Sequence, residues 1–200
     1  MSDKPGNPAV FLDRDGTLNI EKKYLCDPDK LVLFPEIGPA LKRLSDAGYL
    51  LFIVTNQSGI GRGYYTEADM HRVNERLLTS LTPAGITFRE VYFAPEHPDA
   101  ESRGRKPSPA FLMDAARDHD LDLSRSYMIG DKFIDLACGW NAGVRRSILV
   151  RTGYGAEMEK RHAGELKDAW VVDTLTEAAN QILSADHNHT DDIVGKSLNR

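Results

Sequence analysis

The sequence predicts an α/β domain, a parallel sheet with helices on both faces and no large cap. Three observations carry that expectation. Apolar runs alternate with helical patterns along the chain, which implies crossover connections between parallel strands. The runs are apolar almost throughout, as strands buried on both faces must be. Residue types suited to anion chemistry recur where those runs end, the place where such sheets bind ligands.

The first run, Ala9-Val10-Phe11-Leu12, reads as a buried strand and leads into Asp13-Arg14-Asp15-Gly16-Thr17-Leu18. Two carboxylates spaced this way can divide phosphoryl chemistry. One attacks phosphorus, the other handles the proton, and both face a shared Mg²⁺. Ile37, Ala40, Leu41, Leu44 and Ala47 then fall on one helical face, with Gly48 as the stop. A second strand over residues 49–54 runs into Val54-Thr55-Asn56-Gln57-Ser58-Gly59. A hydroxyl with neighbouring backbone N–H groups at that point can hold phosphoryl oxygens.

Met70, Val73, Leu77 and Leu81 mark the next helix, with Thr66 as its N-cap. A strand over 91–94 precedes Arg105-Lys106-Pro107-Ser108-Pro109, where Ser108 reads as an N-cap and Pro109 as the first helical residue. Lys106, just before that helix, adds a charge that favours an anion. The strand over 126–129 ends in Gly130-Asp131-Lys132, and Asp131 can complete a Mg²⁺ site. Lys132 neutralises substrate charge or orients Asp13. Asp135 is read either as a group supporting the metal ligands or as a first-turn helix residue. Strands over 147–150 and 170–172 close the pattern.

Residues 1–185 are expected to form one domain. From Asp186 to Arg200 apolar periodicity is lost, and a polar, disordered tail is expected. The gaps from Asn19 to Leu31 and from Asn56 to Lys106 are too short for a lid domain. Loops must choose the substrate.

A formal charge of −5 over 200 residues argues against a nucleic-acid-binding surface. No apolar stretch is long enough to span a membrane, and the first residues carry no secretory signal pattern. The two cysteines, Cys26 and Cys138, suggest no disulfide framework, and a cytoplasmic protein is the expectation; a monomer is expected. Cys138 reads as a small core residue.

In this order, DRDGT, TNQSG, RKP and GDK resemble the motifs of haloacid dehalogenase-like phosphohydrolases. FLDRDGTLN, VTNQSGIGRG, RKPSPAF and MIGDKFID look most like the D-glycero-D-manno-heptose 1,7-bisphosphate 7-phosphatases, and the resemblance covers roughly residues 8 to 180. The histidinol-phosphate phosphatases share much of it, and the TNQSGIGRG stretch also resembles polynucleotide 3′-phosphatase domains.

The resemblance implies a Rossmann-like parallel sheet of the haloacid dehalogenase fold. It implies Asp13 as nucleophile and Asp15 as acid and base. Thr55 and Lys106 would stabilise the phosphoryl group. Asp13, the Asp15 backbone carbonyl and Asp131 would hold Mg²⁺. Asn19, Glu21, Lys22, Lys23 and Tyr24, with Asn56, Gln57 and Ser58, would line the substrate pocket. Arg105 would meet the phosphate that does not react, and Lys132 would touch substrate. The implied substrate is a small phosphorylated sugar, taken on the way to nucleotide-activated heptose, with no nucleic acid or membrane as partner.

Many relatives hold a structural zinc before RKP through a Cys-x-His pair and a Cys-x-Cys pair. Here Ala94, Glu96, Ser102 and Gly104 stand at those positions, beside His97. One histidine without cysteines does not make a closed zinc site, so no zinc is expected.

Overall fold

The computed structural model describes residues 6–197. Six strands form one parallel sheet: β1 (Ala9–Leu12), β2 (Leu50–Asn56), β3 (Phe88–Ala94), β4 (Tyr127–Gly130), β5 (Arg146–Val150) and β6 (Trp170–Val172). Their order is β3-β2-β1-β4-β5-β6. In β1 every residue is buried, and consecutive side chains serve opposite faces. Val10 and Leu12 join one apolar cluster with Leu41 and Leu44 of helix α1 (Ile37–Asp46) and Ile182 of α6 (Leu175–Ser197). Ala9 and Phe11 join the other, with Leu112 and Ala115 of α3 (Ala110–Asp118) and Cys138 of α4 (Phe133–Ala142). Two covered faces explain why the strand lacks polar alternation.

Helix α2 (Glu67–Leu81) starts at a capping box. Asp69 N–H donates to Thr66 Oγ1 at 3.2 Å, and Thr66 N–H donates to Asp69 Oδ2 at 2.7 Å. The short helix α5 (Gly155–Arg161) follows β5.

Helix α3 begins at Ala110, one residue later than the Ser108-Pro109 pattern suggests. Pro109 is the capping residue, while Ser108 Oγ still accepts from Ala110 N–H at 3.3 Å. Helix α6 runs to Ser197, so its backbone continues past Ala185, where the tail was expected to begin. Residues 198–200 lie outside the described residues.

The connections from β1 through β3 step one way from β1, and the chain then returns to place β4 on its other side. The carboxyl ends of β1 and β4 therefore flank a topological switch point, where a crevice opens. No helix among the described residues is long and apolar enough to cross a membrane.

Candidate active site

Asp13 is the first residue after β1, and its N–H donates to Ile129 O of β4 at 2.9 Å. This backbone tie fixes the start of the loop, and the residue is 4% exposed. Asp15 turns the other way, toward Arg14. The fully buried Arg14 guanidinium donates to Asp15 Oδ2 at 2.7 and 3.1 Å, to Gln57 Oε1 at 3.1 Å and to Asn74 Oδ1 at 2.8 Å. Asn19 Nδ2 donates to Asp15 Oδ1 and Gln57 Nε2 to Oδ2, both at 3.0 Å. Burial by itself would raise the Asp15 pKa. The Arg14 charge and the hydrogen bonds from Asn19, Arg14 and Gln57 outweigh it and hold the carboxyl below its usual range.

Thr55, near the end of β2, is buried and accepts from Gln57 Nε2 at 2.9 Å. That leaves its own hydroxyl proton to donate. Asn56 clamps the backbone of Lys106 from both sides. Lys106 N–H donates to Asn56 Oδ1 at 3.0 Å, and Asn56 Nδ2 donates to Lys106 O at 3.1 Å. The Lys106 ammonium then reaches Asp13 Oδ1 at 2.8 Å, Asp135 Oδ1 at 2.6 Å and Val54 O at 2.7 Å. Burial opposes its charge, but Asp13 and Asp135 raise its pKa well above the ordinary lysine value.

Asp131 follows β4 and is fully buried. Burial first, and then the neighbouring Asp13 and Asp135, push its pKa up to about 7, against the opposing pull of Lys132 and a backbone N–H. Asp135, in the first turn of α4, is raised for the same leading reason. The Lys132 ammonium stands 3.5 Å from Asp131 Oδ1, 4.0 Å from Asp13 Oδ2 and 3.4 Å from Glu21 Oε2.

Carboxylate oxygens of Asp13, Asp131 and Asp135 lie within 4.8 Å of one another, and Asp131 Oδ1 accepts no hydrogen bond among the described residues. Hard oxygen donors crowded this closely suit Mg²⁺, which takes a few carboxylates and keeps its waters. The residues present therefore fit that ion.

A cleft of about 520 Å³ opens above these groups. Of the residues expected in the site, Asp13, Asp15, Glu21, Lys23, Tyr24, Asn56, Gln57, Ser58, Arg105, Lys106 and Lys132 line it. Asn19 and Lys22 do not. Asn19 is fully buried behind Asp15, whose carboxylate it holds, and Lys22 is exposed. Thr55 and Asp131 sit beneath the floor. Lys23 and Tyr24 carry positive φ angles of 46° and 56°, which turn this loop over the cleft, and the Tyr24 ring meets Tyr64 edge-on at 4.7 Å.

Sequence reasoning passed over Arg14, Asn74, Tyr65 and Tyr154. Arg14 sits between two motif aspartates, and a long cation beside a buried strand end was the available signal. Asn74 interrupts the apolar face of α2. Tyr65 donates to Gln57 Oε1 at 2.6 Å, and nothing local in the sequence announces it. At the positions read as lacking zinc ligands, Ser102 Oγ donates to Glu96 Oε2 at 2.7 Å and accepts from Arg105 N–H at 3.1 Å.

The HAD-hydrolase-like family model matches residues 104–178. The D-glycero-β-D-manno-heptose-1,7-bisphosphate 7-phosphatase of Haemophilus ducreyi is 40% identical over 86% of this chain and 96% of its own length. The α-anomer-named counterpart from Burkholderia mallei is 40% identical over 72% of this chain and 80% of its own. The crystal structure of D,D-heptose 1,7-bisphosphate phosphatase from B. bronchiseptica, complexed with magnesium and phosphate, superposes with a TM-score of 0.83. It is 30% identical and covers 89% of this chain and 99% of that one.

Proposed function

The chain belongs to the D-glycero-D-manno-heptose-1,7-bisphosphate 7-phosphatase family of haloacid dehalogenase-like hydrolases, and from that premise we propose how its own residues remove the 7-phosphate. It is a phosphoric monoester hydrolase, and its product feeds nucleotide-activated heptose for surface polysaccharide. The observation that carries the reading is Asp13, held against Lys106 at 2.8 Å on the floor of the cleft, with Asp131 and Asp135 alongside.

In the first step an Asp13 carboxylate oxygen attacks phosphorus. The bond from phosphorus to the sugar oxygen breaks, and that oxygen takes a proton from Asp15. The resting Asp15 is ionised, and an incoming phosphoryl group beside it raises its affinity for the proton it must deliver. In the second step water attacks the aspartyl-phosphate and Asp15 accepts the water's proton. The bond from phosphorus to Asp13 then breaks, releasing phosphate. Lys106 and the Thr55 hydroxyl offset charge on the phosphoryl oxygens throughout. Asp13, Asp131 and the backbone carbonyl of Asp15 would hold magnesium, which supplies charge stabilisation for the phosphoryl oxygens.

Glu21, Lys23, Tyr24, Asn56, Gln57, Ser58 and Lys132 form the walls that position the sugar. Arg105 takes the remaining phosphate. Its Nη1 is buried with no partner among the described residues, and a bidentate phosphate contact would satisfy it. Magnesium without zinc is the cofactor set, supported by Ala94, Glu96, Ser102 and Gly104 at the positions where relatives carry zinc ligands. A cytoplasmic protein is supported by the free cysteines, and the lack of a nucleic-acid partner by the net charge of −5.

The test is phosphate release with Mg²⁺ from both anomers of heptose 1,7-bisphosphate, beside histidinol phosphate and a 3′-phosphorylated oligonucleotide. A preference of about 100-fold for a heptose bisphosphate, about 2.7 kcal/mol in transition-state binding, is expected. Equal rates on all four substrates would remove the sugar assignment. Faster turnover of the oligonucleotide would replace it.

A further inference from the structure

Among the described residues, the loop that follows β5 has no part in the four motifs, yet it closes around Asp131. Thr152 Oγ1 donates to Gly16 O at 2.6 Å, and Tyr154 N–H donates to Asp131 Oδ2 at 2.9 Å. A Cβ on Gly153 would stand 2.2 Å from Asp131 Oδ2 and 2.7 Å from Gly16 Cα, and the backbone there has φ +55°. From the other side, a Cβ on Gly16 would stand 2.1 Å from the same oxygen, at φ +89°. Two residues without side chains thus form a slot that the Asp131 carboxylate fills. One oxygen is tied to backbone at the bottom of the slot, while Oδ1 accepts no hydrogen bond among the described residues and has the Lys132 ammonium 3.5 Å away.

We propose that Thr152-Gly153-Tyr154 is a positioning element for the metal site, clamping Asp131 Oδ2 so that Oδ1 faces the cation and tying the loop after β5 to the loop that carries Asp13 and Asp15. The proposal rests on the reading of Asp131 as a magnesium ligand. Its physical basis is that a ligand held in its binding geometry spends no entropy or reorganisation on capture, and groups that orient ligands commonly set affinity by about 10–100-fold. A single added methyl at 153 must displace Asp131, because Oδ2 has Gly16 on one side and the Tyr154 amide on another. The Tyr154 ring also packs against the Lys132 ammonium, 5.2 Å from its centroid, so the same loop steadies the cation nearest Oδ1.

The experiment measures Mg²⁺ binding to the full chain by calorimetry, with substrate turnover titrated against Mg²⁺ in parallel. Gly153→Ala is expected to weaken Mg²⁺ binding by about 10-fold or more. It should restore kcat to within a few-fold of the parent at saturating Mg²⁺ and leave KM for the sugar phosphate unchanged. A folded Gly153→Ala that binds Mg²⁺ within two-fold of the parent overturns the proposal. So does a loss of kcat that Mg²⁺ does not restore. If Gly153→Ala does not fold, the Thr152 pair decides. Thr152→Val should weaken Mg²⁺ binding by about 3-fold or more while Thr152→Ser, which keeps the hydroxyl, binds as the parent does; a Thr152→Val that binds like the parent overturns the clamp. Asp131→Asn separates the two claims. If it loses Mg²⁺ binding while the loop variants keep it, the clamp alone fails. If it binds Mg²⁺ normally, Asp131 is no ligand and the clamp falls with the site reading.

Discussion

Asp15 and Asp131 are carboxylates at the carboxyl ends of neighbouring strands, and their environments run in opposite directions. Asp15 has its own cation. Arg14, Gln57 and Asn19 converge on it, and its pKa is lowered despite burial. Asp131 faces two further carboxylates, has one oxygen that accepts no hydrogen bond among the described residues and meets only the Lys132 ammonium at 3.5 Å, and has its pKa pushed up to about 7. The first half of the site is balanced within the protein. The second sets three carboxylates against the two ammonium groups of Lys106 and Lys132, and a divalent cation completes its balance. The division assigns proton handling to a preset, rigid group and phosphoryl charge to an exchangeable ion.

The largest expected effect falls on Asp13, which both halves serve. Asp13→Asn should lower turnover by about 10⁴-fold or more while far-ultraviolet dichroism stays unchanged. Turnover within ten-fold of the parent would remove Asp13 as nucleophile.

The comparison breaks next at Arg14. Arg14→Met leaves the partly buried Asp15 carboxylate without its cation, a change that costs up to about 3 kcal/mol in denaturant unfolding. Adding Asp15→Asn should recover part of that loss, since the unpaired charge is gone. Two additive changes would mean that the pair is not coupled.

Magnesium sharpens the other half. At about 100 times its Kd the ion should stabilise the parent by about 2.7 kcal/mol, or about 5–10 °C in Tm for a chain of this size. The shift should vanish in Asp131→Asn and persist in Asp15→Asn, where the backbone carbonyl remains. Scanning calorimetry reads both.

The smallest effect is on pH, in chelator. Between about pH 4 and 7 the folded chain keeps a proton on Asp131 that the unfolded chain releases, so this contribution to stability is lost as pH rises through about 7. Asp15 acts in the opposite sense. Its contribution is present above the ordinary carboxylate pKa and lost as pH falls through its lowered folded value. The stability difference between parent and Asp131→Asn should therefore decline from pH 5 to 8, by on the order of 1–2 kcal/mol. A difference that grows over that range would reverse the sign of the Asp131 shift.

The central strands were legible because they are buried on both faces and read as unbroken apolar runs, whereas the edge strand β3 begins at Phe88, three residues before its apolar run, through the exposed Arg89 and Glu90. Strand β1 matches its run of residues 9–12 to the residue, β4 is shifted one residue on from its run of 126–129, and β5 begins one residue before its run of 147–150. Asp13, Thr55 and Asp131 were legible because they stand at strand ends, whereas Arg105-Lys106 comes well after β3 ends at Ala94 and was legible from its charge before a helix start. What escaped were partners joined only by folding. Arg14 needs Asn74 from α2 and Gln57 from the loop after β2. The clamp on Asp131 needs Tyr154, 23 residues away. Asn19 has the right residue type near the right motif, but its amide turns inward to Asp15, and only the loop geometry decides that. The length of α6 was missed because its later turns carry no apolar periodicity.

The most direct test of the account is phosphate release from heptose 1,7-bisphosphate with Mg²⁺, after chelation, and after Mg²⁺ is restored. A balanced Asp15 half and an incomplete Asp131 half predict release that falls by about 1,000-fold or more on chelation and returns in full with the ion. Release that continues unchanged in chelator would contradict the account, because the crowded carboxylates would then be serving the reaction without the cation that their geometry calls for.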